Sequence, residues 1–389
     1  MDQVLQGTRV LDFGRYVAGP YCATLLAYLG ADVIRIEKKD GGEDRFISPF
    51  PGVDAGGLFM QTACNKRSLA LDFKNPLSKT VIDRLLDTAD VVVANLPAAQ
   101  LQRMGLDWDR LHQRWPRLVL ATQTAFGEQG PLAGMGGFDG VAQAMSGAMY
   151  MSGTEGHPVK AAAPYVDYST AAMSAFGVMA ALLERERNGI GQHVQGSLLG
   201  TALSVFAAHL AEQGTLKINR KPTGNRVQTS GPSDVFATQD GHILTHVVGN
   251  GLFARCAGML GKNEWLDDPA LLTDQGRGDA RDMLCEAMAE WCSKRSTDDA
   301  LQALNKAGVP AGPVLTPQEA LDHPQVAAMS WLHTVQFPGA NSPSPVAGLP
   351  LKFSSLSADI NKPPPLLGEH NREILLELGF EPGQIAELT

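Results

Sequence analysis

The stretch that decides the architecture is PYVDYSTAAMSAFGVMAALLERERNG, residues 164–189. Small and apolar residues fill it from Ala171 to Leu183, a charged tail follows at 184–187, and Gly189 comes after that tail. This pattern predicts a buried helix that ends at a glycine, because glycine readily adopts the left-handed conformation found past a helix C terminus. Small side chains along such a helix allow other backbone to pack closely against it.

Asp167 lies in the first turn of this predicted helix. Aspartate is a preferred capping residue, and the local composition alone favours a cap over a catalytic role. The helix dipole and the free N–H groups at a helix start favour a negative charge. We therefore expect Asp167 to stay ionised near neutral pH, as an ordinary carboxylate does.

Predicted strands and helices alternate in the N-terminal part of the chain. The strands are predicted over 8–13, 32–36, 68–72, 90–95 and 117–121, with helices at 19–28 and 76–89. Such alternation implies an α/β fold with a large, doubly wound parallel sheet that binds ligands at the carboxyl ends of its strands. The first turn carries Gly14 and Gly19 with bulky residues between them instead of G-x-G-x-x-G, which argues against a dinucleotide.

The composition changes after about residue 215. Residues 217–230 are basic, polar and loop-like, and 234–238 with 242–247 predict a β-hairpin around Asp240-Gly241. Helical patterns follow at 250–260, 280–294 and 298–307. We predict a large domain formed by residues 1–215 and 330–389, and a linker with a smaller α+β domain at 216–329.

Composition excludes several classes of function. A net charge of −9 argues against a nucleic-acid partner. The five cysteines are scattered and the nine histidines form no cluster, so we expect a reducing compartment and no metal site. The first four residues lack the features of a targeting peptide, and the apolar run at 171–183 is shorter than the roughly 20 residues of a membrane helix. We expect a soluble, cytoplasmic protein without a membrane partner.

Several segments together resemble the family III CoA-transferases, also called the carnitine dehydratase/bile-acid-inducible family. The most specific are Asn65-Lys66-Arg67-Ser68 with the following Leu71-Asp72, the Asp167 helix, and Gly189-Ile190-Gly191-Gln192-His193-Val194. Glycine-rich residues 126–137 and the segments 308–314 and 365–370 are also similar, so the resemblance covers nearly the whole chain. It implies acyl-CoA and carboxylic acid substrates, no tightly bound cofactor, and a homodimer whose chains interlock like rings.

The resemblance also implies roles for single residues. Asp167 would be the acyl-accepting nucleophile, forming first a mixed anhydride and then an aspartyl-CoA thioester. The implied CoA-binding residues are Arg15, Val17, Ala18, Lys38, Leu71, Asp72, Phe73, Lys74, Asn95, Leu96, Pro97, Arg103, Gly137, Phe138 and Asp139. Because both covalent intermediates hydrolyse readily, the site must exclude water, and we expect lids at 127–137 and 224–233.

Two other functions are compatible with the same resemblance. Related 2-methylacyl-CoA racemases carry Gly-His-Asp where this chain has Gly137-Phe138-Asp139, and phenylalanine cannot exchange a proton. A CoA-binding protein without turnover is the other alternative. For the acceptor, Val17 replaces the glutamine of the formyl-CoA/oxalate branch, and Arg15 or Arg226 could pair with a second carboxylate, as in succinate or a C5 diacid.

Overall fold

The computed structural model describes residues 3–53 and 55–388. Met1 and Asp2, which contributed to the expectation about targeting peptides, lie outside the described residues, as do Asp54 and Thr389. The chain divides into two compact units. The larger comprises Met1–Ser146, Ala162–Leu210 and Val326–Thr389, and the smaller comprises Gly147–Ala161 and Ala211–Gln325. Residues 147–161 thus group with the smaller unit, whereas the sequence-based division placed them in the large domain.

The described residues form strands β1 (Arg9–Asp12), β2 (Asp32–Lys38), β3 (Lys66–Leu71), β4 (Val91–Ala94), β5 (Val119–Thr124), β6 (His193–Ser197), β7 (Ser233–Ala237), β8 (His242–His246), β9 (Ala311–Pro313), β10 (Leu332–Val335) and β11 (Ser344–Ala347). The α-helices are α1 (Ala18–Tyr28), α2 (Gly57–Thr62), α3 (Pro76–Leu86), α4 (Ala98–Met104), α5 (Trp108–Arg114), α6 (Asp139–Met145), α7 (Ala148–Met151), α8 (Tyr165–Asn188), α9 (Leu198–Val205), α10 (Ala207–Leu216), α11 (Asn250–Leu260), α12 (Asp274–Asp279), α13 (Arg281–Ser293), α14 (Thr297–Lys306), α15 (Pro317–Leu321), α16 (Pro324–Met329), α17 (Asn371–Glu377) and α18 (Pro382–Leu388). Short 3₁₀ helices cover Glu43–Phe46, Asn263–Leu266 and Pro269–Leu271.

A six-stranded parallel sheet forms the centre of the larger unit, in the order β3-β2-β1-β4-β5-β6. The doubly wound parallel sheet predicted from the sequence is therefore confirmed. The direction of winding reverses between β1 and β4, which is where such sheets open a crevice for ligands. The edge strand β6 was not predicted, because its sequence HVQGS is polar and its side chains are mostly half-buried.

Each face of the sheet carries its own core, because successive strand residues point to opposite sides. On one face Val10 and Val91 pack with helices α1 and α8. On the other face Leu11 and Val92 pack with α3 and with Ile374 of the C-terminal helix α17. The chain end thus returns to the larger unit.

The Lys66-Arg67-Ser68 segment of β3 anchors this returning end. The buried Lys66 ammonium donates to Asp12 at 2.7 Å, which ties β3 to β1. Arg67 pairs with Glu373 and Glu377 at 2.9 and 2.8 Å. Ser68 accepts a hydrogen bond from the Gly368 N–H at 3.0 Å. Lys66 therefore joins two strands of the sheet, and Arg67 and Ser68 fasten the C-terminal segment to β3.

Helix α8 runs from Tyr165 to Asn188 and is followed by Gly189, whose φ of 76° confirms the predicted glycine terminus. At Gly177 a β-carbon would lie 2.6 Å from Cγ1 of Val194, so the small residue allows α8 to pack tightly on β6. With 24 residues, α8 is by length and composition long and apolar enough to cross a membrane, which corrects the expectation drawn from the shorter apolar run. Its buried residues, such as Val178, pack in the core with α1, and core helices of soluble proteins share this length and composition.

The smaller unit contains a three-stranded antiparallel sheet in the order β7-β8-β9. Strands β7 and β8 form the hairpin predicted around Asp240-Gly241. Helices α11, α13 and α14 cover it, with Phe253 and Met288 in their common core. The predicted α+β character of this part of the chain is confirmed.

Candidate active site

The loop after β1 is fastened to the loop after β4 by Asn95. Its side-chain oxygen accepts the Arg15 N–H at 2.6 Å, and its side-chain nitrogen donates to the Arg15 carbonyl at 2.7 Å. Beside Arg15, the Gly14 N–H donates to the Asp12 carboxylate at 2.8 Å. A β-carbon at Gly14 would lie 2.6 Å from Cδ of Pro20, so only glycine fits. The backbone at the sheet's switch point is thereby fixed.

A cavity of about 870 Å³ opens beside these loops in the larger unit. Its apolar surface comes from side chains such as Phe13, Ile36 and Phe73. Its cationic surface comes from six side chains, namely Arg15, Lys38, Lys74, Lys79, Arg103 and Arg110. The described lining includes no carboxylate. A ligand that carries several negative charges and an apolar part fits such a cavity.

The sequence predicted part of this lining. Six of the residues expected to bind CoA line the cavity, namely Arg15, Lys38, Phe73, Lys74, Leu96 and Arg103. Sequence reasoning missed Phe13, Ile36, Asn75, Pro76, Ser78, Lys79, Ile82, Gln100, Met104 and Arg110. The available signal was the start of α3 directly after β3, since a helix N terminus at the end of a parallel strand is a common position for anion binding.

The other expected contacts support the cavity without lining it. Val17 and Ala18 are buried at the start of α1, and Leu71 lies in the core of the sheet. Asp72 accepts the Lys74 N–H at 3.0 Å. Asn95 holds the Arg15 backbone and Pro97 precedes α4, while Gly137, Phe138 and Asp139 lie at the start of α6, outside the lining. These residues position the walls of the cavity.

Glu43 neutralises part of the cationic surface. Its carboxylate accepts from Lys38 at 2.8 Å and also pairs with Arg15. By contrast, Lys74, Arg103 and Arg110 have no carboxylate within ion-pair distance among the described residues. A bound polyanion would therefore meet three unpaired cations, would compete with Glu43 for Arg15 and Lys38, and would compete with Asp83 for Lys79.

Asp139 caps the start of helix α8. Its Oδ2 accepts the N–H groups of Val166 and Asp167 at 2.8 and 3.0 Å, and Gln143 donates to its other oxygen. The cap weighed for Asp167 is thus supplied by Asp139, and Asp167 occupies the third helical position instead. Asp139 is only 6% exposed with both oxygens engaged, so its side chain is not open to a ligand as the CoA assignment expected.

The Asp167 carboxylate accepts no hydrogen bond from the described residues. Burial, followed by the negative charge of Asp139, raises the pKa of Asp167 to about 7. The expectation that Asp167 stays fully ionised near neutrality is therefore wrong. The change of this pKa from 3.8 to about 7 corresponds to about 4 kcal/mol, which exceeds the roughly 1 kcal/mol that a helix dipole supplies.

Aromatic contacts bring the cavity loop and Asp167 together. Tyr16, next to Arg15 of the cavity, meets Phe138 edge to face with ring centroids 5.4 Å apart. On the adjoining elements Tyr21 and Tyr168 meet in the same way at 4.7 Å. Phe138 is 63% exposed and directly precedes the Asp139 cap, so the predicted Gly-Phe-Asp segment does lie beside the nucleophile candidate.

Neither arginine considered for a second carboxylate is a free cation. Arg226 pairs within the smaller unit with Asp234 at 2.8 Å and with Asp282 at 2.6 Å. Arg15 pairs with Glu43. In the described part of the chain, no group of three or more His, Cys, Asp or Glu residues could hold a metal ion.

These observations agree with the comparison of this chain with known proteins. The family model for CoA-transferase family III matches residues 5–371. The chain belongs to this family. The predicted family membership is therefore confirmed.

Relatives in the family differ in the acids that their names give. The succinate–glutarate CoA-transferase of Agrobacterium fabrum is 32% identical over 96% of this chain and 95% of its own length. The succinyl-CoA–D-citramalate CoA-transferase of Chloroflexus aurantiacus is 30% identical over 96% and 94%. The formyl-CoA:oxalate CoA-transferase of Streptomyces avermitilis is 31% identical over 98% and 97%.

The same fold occurs in a solved structure. A CaiB/BaiF family protein from Brucella suis superposes with a TM-score of 0.86 at 30% identity, covering 97% of this chain and all of the other. The protein is thus a family III acyl-CoA:carboxylate CoA-transferase, and its substrates are CoA thioesters and carboxylic acids.

Proposed function

We propose that this transferase moves CoA between acids through covalent intermediates on Asp167. The observation that carries the proposal is the half-buried Asp167 carboxylate at the start of α8, which accepts no hydrogen bond from the described residues. The contact between Phe138 and Tyr16 connects its surroundings to the loop of a cavity lined by six cations. A carboxylate is itself a nucleophile, so no neighbouring base is required once it is ionised.

The first half of the reaction loads CoA onto the protein. An Asp167 oxygen attacks the thioester carbonyl, the C–S bond breaks, and the negative charge passes to the CoA sulfur. The products are a mixed anhydride and CoA thiolate. The thiolate then attacks the Asp167 carbonyl of the anhydride, which releases the first acid and leaves an aspartyl-CoA thioester.

The second half reverses these steps with a new acid. The incoming carboxylate attacks the aspartyl thioester and expels CoA thiolate, forming a second anhydride. The thiolate attacks the acyl carbon of the incoming acid, so that the new acyl-CoA leaves and Asp167 regains its carboxylate. The cavity cations would hold the phosphates of CoA throughout, which keeps the thiolate close between its two attacks.

Water must be excluded while the anhydrides exist. The segment 127–137 is suited to close over Asp167, because three of its glycines (Gly127, Gly130 and Gly134) have positive φ and β-carbons there would meet nothing within 4 Å. We assign the lid to this segment, whose backbone N–H groups would also stabilise developing oxyanions.

A dicarboxylate such as succinate or a C5 diacid is our proposed acceptor. The proposal is supported by the names of two relatives, which act on succinate, glutarate or citramalate. It no longer draws support from Arg15 or Arg226, because both pair with carboxylates of this chain. Val17 in place of glutamine, by the family resemblance, disfavours oxalate.

We also propose an interlocked homodimer in the cytoplasm. The outer face of α8 exposes Met173, Phe176 and Leu183, with Phe176 77% exposed, and a second chain would cover these apolar side chains. The negative net charge and the scattered, reduced cysteines agree with a cytoplasmic location. Analytical ultracentrifugation would show the dimer.

The decisive experiment tests Asp167 with a matrix of acyl-CoA donors and free acids. The wild type should form new acyl-CoA by mass spectrometry and yield a hydroxamate at Asp167 with hydroxylamine. Asp167→Ala should lose transfer and trapping while its circular dichroism stays unchanged. Transfer by Asp167→Ala would refute the nucleophile. Inversion of a 2-methylacyl-CoA without any acid-dependent transfer would instead indicate a racemase.

A further inference from the structure

We propose that Asp139 is the positioning residue for the Asp167 nucleophile: it fixes the helix turn that presents Asp167 and faces it with a like charge. This inference rests on the proposed function of Asp167. It assigns Asp139 a part in the chemistry although the side chain contacts no substrate.

The geometry places Asp139 where it controls the first turn of α8. One carboxylate oxygen accepts two consecutive N–H groups, those of Val166 and Asp167. Gln143, one turn further along α6, donates to the other oxygen and fixes the carboxylate in place. Because the Asp167 N–H is itself held, the Asp139 bonds determine where the Asp167 side chain starts.

Asp139 also occupies the N–H groups that would otherwise neutralise Asp167. A carboxylate in the first turn of a helix is ordinarily stabilised by such donors. Here Asp167 receives none from the described residues and instead meets the negative charge of Asp139. The arrangement withholds stabilisation from the ionised nucleophile, which keeps its oxygens basic and therefore more reactive.

The described elements that pack against α8 carry no cation that would offset the negative charge of Asp139 near Asp167. Helices α1, α6 and α9 and strands β5 and β6 pack against α8. Besides Asp139, their titratable side chains are Tyr21, Cys22, Tyr28 and His193, and those nearest to Asp167 on α8 itself are Tyr165 and Tyr168. His193 is engaged with Thr122 at 2.8 Å and lies 3.7 Å from Glu128. Asp139 is thus the charged group that acts on Asp167.

The like charge would favour formation of the covalent intermediates. When an Asp167 oxygen bonds to the acyl carbon, the negative charge leaves Asp167 with the departing CoA thiolate. The anhydride and the aspartyl thioester are both neutral at Asp167, so acylation relieves the repulsion from Asp139. The repulsion raises the free energy of the ionised resting enzyme and so lowers the barrier to attack, which is ground-state destabilisation.

The first measurement uses the unmodified protein. We expect kcat/KM for the best donor and acid pair to fall on the acid side with a midpoint near pH 7, the pKa of Asp167. An acid limb near pH 4, where an ordinary carboxylate titrates, would overturn the inference. This result does not depend on whether any variant folds.

The second measurement compares Asp139→Asn with Asp139→Ala. Asparagine retains an oxygen for the two N–H bonds but carries no charge, so the acid limb should move down by about one pH unit with a similar plateau. At pH 6, kcat/KM relative to the plateau should then rise about fivefold, from about a tenth to about a half. Alanine also loses the N–H bonds, so its plateau should fall at least tenfold.

A matched control is Asp268→Asn, which alters an exposed helix-capping aspartate of the smaller unit. Its pH profile of kcat/KM should overlay that of the wild type, because Asp167 and its surroundings are unchanged and ionisation of the CoA phosphates affects both proteins equally. If Asp139→Asn overlays the wild type as well, Asp139 does not act on Asp167 and the inference fails. The proposed function would survive that result, whereas transfer by Asp167→Ala would remove both.

Discussion

Replacing Asp167 with asparagine should stabilise the fold at alkaline pH, because it removes a charge that the folded protein disfavours. Burial, with the charge of Asp139, raises the pKa of Asp167 from 3.8 to about 7. The folded state therefore binds this proton more tightly than the unfolded state does. The resulting stability is fully present below pH 3.8 and is lost as the pH rises through 7.

The size of the effect follows from the two pKa values. Integration over pH gives a destabilisation of the wild type by about 2 kcal/mol at pH 5 and about 4 kcal/mol at pH 8. Asparagine carries no charge at either pH, and the raised pKa of Asp167 already contains any favourable effect of the helix start on the charge. The gain in the free energy of unfolding is therefore about 2 kcal/mol at pH 5 and about 4 kcal/mol at pH 8. At roughly 2 °C per kcal/mol, Tm should rise by about 4 °C and about 8 °C.

Thermal melts of wild type and Asp167→Asn at pH 5 and pH 8 test this reasoning. Asp83→Asn serves as a control of opposite sign. Burial alone raises the pKa of Asp83, but hydrogen bonds from Lys79 and Arg114 outweigh it and lower that pKa. Asp83→Asn should thus lower Tm at pH 8, and less so toward pH 4. The reasoning is refuted if Asp167→Asn melts at or below the wild-type temperature at pH 8, or if its gain is equal at both pH values.

Three further predictions concern the cavity and its loop. Arg103→Gln should weaken CoA binding about tenfold and flatten its salt dependence in titration calorimetry, since it removes a charge-assisted contact. Glu43→Gln should tighten binding at least about threefold, because the carboxylate no longer competes for two cavity cations; weaker binding would contradict this. Gly14→Ala should lower Tm by several degrees, because its β-carbon would lie 2.6 Å from the Pro20 ring. Gly136→Ala, in open space, should not change Tm, and equal effects of the two would contradict the steric argument.

The sheet was predictable because its strands are short apolar runs between turn residues, as in the buried strand Val91–Ala94. The C terminus of α8 was predictable because only a residue tolerant of positive φ ends a helix as Gly189 does. Strand β6 escaped prediction because its residues gain from backbone pairing with β5 and little from burial. The spacing of apolar residues therefore does not indicate a polar edge strand such as β6.

The cavity was predictable only in part, since its lining comes from elements that the sheet order brings together. Lys79 and Arg110 lie on α3 and α5, and nothing local distinguishes them from other surface cations. The raised pKa of Asp167 was not predictable from its position alone. A carboxylate in the first turn of a helix is stabilised as a charge only if it accepts the free N–H groups of that turn. Here those N–H groups donate to Asp139, which is distant from them in the sequence.

The most specific sequence motif therefore contains residues that hold the fold in place, in addition to residues that would contact a ligand. Lys66 stands in the most specific motif of the family resemblance, yet its ammonium is fully buried and donates to Asp12. Asp12 in turn accepts the N–H of Gly14, which begins the loop that lines the cavity with Arg15. A buried ion pair is weak evidence for net stability, and we infer that the Lys66–Asp12 pair instead specifies one arrangement of the strands and loop that it joins. In the proposed reaction a thiolate and a carboxylate must stay in register through four attacks, and a fixed loop serves that purpose better than an additional cation at the surface.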